Sequence, residues 1–225
     1  MKNLFTVSGR IMGLCIIVGC LIFPFYALSA TLSSIVMDAA GKPVKDAVIY
    51  ANPVTGGLSA GKQPLNAVMD QVNKEFVPYV LPVQVGTSVR FPNKDNIRHH
   101  VYSISPAKRF ELPLYKGTPS SPVVFDKPGV VTLGCNIHDW MVAYIYVVET
   151  PYFTTTGKDG AAAIHELPQG PYEVRVWHPL LTDPTEATGK RVNLSDKESH
   201  VNFVITLKPD WRPRRISPLG SGSSY

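Results

Sequence analysis

Within seven residues, Cys135-Asn136-Ile137-His138-Asp139-Trp140-Met141, the chain carries a thiol, an imidazole and a thioether. His99 adds a second imidazole from upstream. A thiolate and two imidazoles with a long, weak axial Met form the ligand set of a blue-copper, one-electron centre. Zinc also takes Cys and His, but its closed sites draw on paired Cys-x-x-Cys or His-x-x-x-His spacings. Beyond the first thirty residues there is one thiol, and a Met within reach of the same loop. Met is a good soft ligand for copper and a poor one for zinc. The donor set therefore points to a single copper ion, with His99, Cys135, His138 and Met141 as candidate ligands.

Strands must position these groups. Residues two apart share a face of a strand. Val131, Leu133 and Cys135 therefore point one way, into a core, while Thr132 and Gly134 point the other. Met141, Ala143, Ile145 and Val147 share a face as the chain turns back. Ile97, His99, Val101 and Ser103 line one face of an earlier strand, and Arg98, His100 and Tyr102 the other. The first of these is the better core face, which selects His99 over His100 as ligand. One histidine on a strand is ordinarily a packed or surface residue; it is the convergence of four donors that argues for a site.

The first thirty residues read as a secretory leader: Lys2 and Arg10, an apolar run from Ile11 to Leu28, then small residues ending at Ala30. Two alternatives stand beside cleavage. The run is long enough for an uncleaved membrane anchor, and Ile17-Val18-Gly19-Cys20 resembles a bacterial lipobox. The apolar residues after Cys20 argue against the lipobox. Export, to a periplasm or beyond, leaves Cys135 without an internal disulfide partner in an oxidising compartment; a metal gives it a role. If the leader is cleaved, no stable membrane insertion is expected.

Loss of Lys2 and Arg10 lowers the net charge from +5 to +3. That is too mild, and too scattered, for nucleic-acid binding. The one basic cluster, Trp211-Arg212-Pro213-Arg214-Arg215, opens a Ser/Gly-rich end, and residues 209–225 read as a flexible tail.

The mature chain shows short apolar runs rich in Val, Ile, Tyr and Thr, separated by Gly and Pro, with no sustained helical period. An all-β protein follows. Strands are expected at 34–37, 44–51, 66–73, 81–85, 88–91, 97–104, 123–125, 130–135, 141–148, 162–164, 172–177 and 201–207. Residues 52–64 read as a loop and Ser105–Ser121 as a long irregular segment.

From Asn66 to Glu149 the chain resembles a cupredoxin. Phe76-Val77-Pro78, Leu81 to Gly86 and Val89 to Asn93 are similar to the family's second and third strands. His99-His100-Val101 is similar to its first ligand motif, normally His-Asn-Val. Cys135-x-x-His138-x-x-Met141 is similar to the short ligand loop of the amicyanin type. The resemblance implies a Greek-key β-sandwich with His99, Cys135 and His138 as equatorial ligands and Met141 axial. It also implies a redox partner protein, such as a cytochrome c or a dehydrogenase. His100 stands where the family has a bracing Asn, and Ile137 where it commonly has a proline. Exported proteins of this make-up resemble methylamine-utilisation or plastocyanin-like proteins.

The flanking segments resemble carboxypeptidase regulatory-like or transthyretin-like β-sandwich modules, through Val36 to Tyr50 and Gly157 to Trp177. The implied organisation is a leader (1–30), the first part of a regulatory-like module (31–65), a cupredoxin domain (66–149), the second part of that module (150–208) and the tail. The cupredoxin would then be an insertion.

No Ser nucleophile motif, phosphate loop or carboxylate pair suggests catalysis. Four protein ligands leave a metal no open position for substrate. The chain reads as an electron carrier and not an enzyme. The alternative is copper storage or delivery, although no Met- or His-rich tract is present; a structural protein with a vestigial site is a third reading, against which the intact ligands argue. His165 and His178 read as packing or surface residues, and Trp140 as part of an apolar surface where a partner docks.

Overall fold

The structure is a computed structural model that describes residues 29–55, 65–119 and 121–212. The expected leader through residue 28, and residues 213–225 of the expected tail, lie outside them. Among the described residues, no helix is long and apolar enough to cross a membrane.

The fold is all-β. Two strands open it, β1 (Ser29–Asp38) and β2 (Val48–Pro53). The middle of the chain supplies β3 (Asn66–Val68), β4 (Asp70–Val72), β5 (Glu75–Val77), β6 (Val80–Gln84), β7 (Thr87–Arg90), β8 (His99–Ser105), β9 (Lys108–Tyr115), β10 (Val123–Phe125), β11 (Gly129–Cys135) and β12 (Val142–Val148). The last third adds β13 (Phe153–Thr155), β14 (Ala161–Pro168), β15 (Gly170–Trp177), β16 (Lys190–Leu194), β17 (Glu198–His200) and β18 (Phe203–Ile205).

The first two strands pair with the last third of the chain. β1 lies antiparallel to β14 and parallel to β17 and β18. β2 lies between β13 and β15, with β16 outside β15. Leu32, Val36, Ile49, Leu167, Val174 and Phe203 meet in the core between these sheets. The middle strands form a second sandwich. Its larger sheet runs β6-β12-β11-β8-β9 and its smaller one β10-β7-β3. Val89, Phe91, Val101, Phe125, Val131, Leu133 and Ile145 fill that core, with Cys135 and Met141 at its end.

β12 is buried on both faces. Met141, just ahead of it, and Ala143, Ile145 and Val147 point into the second core. Tyr144, Tyr146 and Val148 pack with Val48, Tyr50 and Trp177 of the first sandwich. Such a strand reads as a nearly continuous apolar run, as Val142–Val148 does.

Several sequence expectations need correction. Ser105–Ser121 is not one irregular segment: Lys108–Tyr115 is β9, paired with β8 through a tight turn. Pro113 hides this strand from sequence, yet β9 is the sheet's edge, where a proline need not donate to a ladder. Residues 66–73 are two strands broken at the buried Met69, not one. β16 and β17 were not expected; their charged residues, such as Lys190, Arg191 and Glu198, face solvent. β1 starts at Ser29, and Ala30 is buried and paired with Leu167, so the strand reaches into the expected leader. The tail is not free from its start, since the Arg212 guanidinium lies 3.9 Å over the Tyr79 ring.

Candidate metal centre

The thiol arrives at the end of a buried row. On β11, Val131 and Leu133 are buried while Thr132 is exposed, and the period of two carries Cys135 into the core at 5 % exposure. Cys135 is a free thiol, and its register partner on β8 is Val101. His99 begins β8 two residues earlier on the same face and is fully buried. After Cys135 the chain makes a tight loop. The Asn136 N–H donates to the His100 carbonyl (3.2 Å), and the Met141 N–H to the His138 carbonyl (3.0 Å). This loop folds the half-buried His138 back over the thiol.

Three donors meet as a result. Cys135 Sγ is 3.8 Å from His99 Nδ1 and 3.8 Å from His138 Nδ1. All three donor atoms lie within 4.8 Å of one another. With metal–nitrogen and metal–sulfur bonds of about 2.0 and 2.3 Å, N and S on one ion stand roughly 3.5 Å apart at a tetrahedral angle and about 3.7 Å at a trigonal one. The observed separations suit a single ion held by a His₂Cys set. Met141 is 1 % exposed and packs in the same cluster as Cys135. The donors are soft sulfur and imidazole nitrogen, the chemistry copper prefers.

His100 faces the other side of β8. Its Nε2 pairs with Glu111 at 2.8 Å, outside the donor cluster. His165 lies against Thr31 on the surface. His178 is buried, with Nδ1 accepting from the Leu180 N–H (3.1 Å), and burial lowers its pKa to about 4. Neither belongs to the cluster.

One functional residue was not anticipated. Asp95 Oδ2 lies 2.7 Å from His99 Nε2. The same carboxylate accepts the backbone N–H groups of Asn73 (2.7 Å) and Lys74 (2.8 Å), at the turn between β4 and β5. Burial works against its charge, but the hydrogen bonds from His99, Lys74 and Asn73 outweigh that and hold it below the usual carboxylate range. The available signal was an acid four residues before the first ligand; the Asn73-Lys74 turn lacks the glycine that marks a tight hairpin in sequence.

The chain matches no protein-family model and no curated protein. Solved structures similar to part of it include a Cu-containing nitrite reductase, a purple cupredoxin and a pseudoazurin. The Cu-containing nitrite reductase NirK from Thermus scotoductus SA-01 is 31 % identical over 44 % of this chain and 25 % of its own, with a TM-score of 0.36. The purple cupredoxin from Nitrosopumilus maritimus is 26 % identical over 36 % of this chain and 99 % of its own, with a TM-score of 0.32. A pseudoazurin from Sinorhizobium meliloti is 26 % identical over 38 % of this chain and 76 % of its own, with a TM-score of 0.30. The chain thus spans a quarter of the nitrite reductase's length.

Proposed function

We propose that this chain is an exported type 1 copper protein of the cupredoxin kind, carrying single electrons between redox partners. One ion would be held by His99, Cys135 and His138, with Met141 as the long axial ligand. The observation that supports this is the pair of 3.8 Å separations from one buried thiol to two imidazole nitrogens. Bound there, copper supplies a one-electron couple between its two oxidation states.

The chain's own residues do the rest. Burial of Cys135, His99 and Met141 keeps water from the donors and fixes their geometry between oxidation states. His138, half-buried beside the exposed Ile137, is the ligand nearest solvent and the point where a partner can approach. Trp140 lies against it, ring centroids 5.0 Å apart, and belongs to the same surface. A cytochrome c or a dehydrogenase is the partner class this surface would serve. In this reading the role is that of a carrier rather than an enzyme, since with Met141 as fourth ligand the ion would keep no open position for substrate. In this reading residues 66–149 are the copper domain, inserted into a small sandwich made by 31–65 and 150–208.

The test is spectroscopic. Copper(II) is added to the purified protein, and visible and electron paramagnetic spectra are recorded through a cycle of reduction and oxidation. An intense thiolate-to-copper band that bleaches and returns, and is lost in Cys135→Ser, supports the reading. A colourless protein, a weak tetragonal spectrum, or full colour in Cys135→Ser would overturn it.

A further inference from the structure

We infer that Asp95 and the Asn73-Lys74 turn form a clamp that positions both histidines of the centre, with Asp95 holding the His99 ring so that Nδ1 faces Cys135. The inference rests on the copper reading for what the rings are held to do, but not for the clamp itself.

The chemistry of the contact settles the His99 tautomer. An ionised carboxylate only accepts hydrogen bonds. The 2.7 Å contact between Asp95 Oδ2 and His99 Nε2 therefore places the proton on Nε2. In the neutral ring this leaves the Nδ1 lone pair free, 3.8 Å from the Cys135 sulfur.

Asp95 is itself pinned. Its two oxygens accept the N–H groups of Asn73 and Lys74. Both turn residues have left-handed backbone, φ 55° and 61°, which aims successive N–H groups at one acceptor. The Asp95 N–H donates to Asn93 Oδ1 (3.0 Å). Asn93 is buried and donates in turn to the carbonyls of Ile97 (2.9 Å) and Tyr115 (2.8 Å). Rotating the carboxylate away from His99 would break both hydrogen bonds it accepts from the turn.

The same turn reaches the other ligand. The Lys74 carbonyl accepts from Trp140 Nε1 (3.2 Å), and the Trp140 ring lies against His138. A two-residue turn of one hairpin thus steadies His99 through Asp95 and His138 through Trp140. His100, next to the first ligand in sequence, takes no part, since its ring pairs with Glu111.

A hydrogen-bonded carboxylate fixes a ligand histidine's tautomer and raises its basicity, and losing such a partner typically costs about 10- to 100-fold in metal affinity. A more basic imidazole favours the more highly charged copper(II) state, so Asp95 is a positioning residue that also lowers the reduction potential.

The test uses the full chain, wild type and Asp95→Asn. Nitrogen-15 NMR of the metal-free wild type should show His99 protonated at Nε2, with that N–H protected from solvent exchange. Asp95→Asn should lose the protection, bind copper(II) about 10- to 100-fold more weakly, and have a higher midpoint potential. Each tenfold loss confined to copper(II) raises that potential by about 59 mV. A wild-type His99 protonated at Nδ1, or unprotected at Nε2, overturns the clamp without any variant. So does a folded Asp95→Asn with unchanged tautomer, affinity and potential. If the wild type shows no blue band while His99 is protected at Nε2, the clamp stands and the electron-carrier reading fails.

Discussion

The Trp177 indole lies flat on the Tyr146 ring, centroids 4.4 Å apart and planes within 4° of parallel. This stack joins β15 of one sandwich to the outer face of β12, whose inner face lines the core that holds Cys135 and Met141. The two sandwiches therefore share β12 as a packed wall, and the stack lies opposite Val130, at the other end of β11 from Cys135.

Trp177→Ala should lower unfolding free energy by about 3–5 kcal/mol, the usual cost of emptying a buried aromatic site. Because the lost contact is the one between sandwiches, urea unfolding should split into two transitions. A single transition with a loss below about 1 kcal/mol would show that the stack contributes little.

His178 makes stability pH-dependent. Burial is the main cause of its low pKa, with Arg212 acting in the same sense and Asp46 and Asp210 opposing it. The folded state keeps the ring neutral down to about pH 4, while the unfolded chain takes up a proton near pH 6.5. Its stabilising contribution is therefore complete above about pH 6.5 and is lost as pH falls toward 4. The shift corresponds to about 3 kcal/mol. His178→Asn keeps an acceptor for the Leu180 N–H but cannot titrate. The stability difference between wild type and this variant should narrow by about that amount between pH 7 and pH 4, followed by urea titration at each pH.

Two glycines separate backbone strain from steric conflict. Gly41 and Gly160 have similar left-handed φ, 77° and 74°. A Cβ at Gly41 meets nothing within 4 Å, whereas at Gly160 it would lie 2.5 Å from the Val36 carbonyl oxygen. Gly41→Ala should cost only the backbone penalty, about 1 kcal/mol. Gly160→Ala adds a displaced β1 backbone and should cost about 3 kcal/mol. Thermal melts of the two variants check the ordering.

Ile137 is 46 % exposed beside His138. If electrons enter through this surface, self-exchange brings two Ile137 patches face to face. Ile137→Lys would then oppose like charges, slowing self-exchange by about tenfold, or ~1.4 kcal/mol. The visible spectrum should not change, because Ile137 donates nothing to the cluster. NMR line broadening in mixed oxidation states measures the rate, and an unchanged rate would move the entry point elsewhere.

What depends on local period and residue chemistry was legible in the chain alone. Alternation along β11 turns Val131, Leu133 and Cys135 inward, and alternation along the β12 segment turns Met141, Ala143, Ile145 and Val147 the same way. The same rule put His99 and His100 on opposite faces. Steric alternation is a property of the chain alone, so these directions need no knowledge of what lies opposite. What lies opposite was decided only in three dimensions. Nothing local in Val142–Val148 says that its second face is covered by Trp177 and Tyr50. Nothing near Pro113 says that β9 falls at an edge, where a missing N–H costs no ladder bond. The contact from Asp95 to His99 required the β4–β5 turn to be folded against it, since those N–H groups hold the carboxylate in place. Donor identity was legible in the residues, whereas the support beneath the donors comes from segments brought together only by the fold.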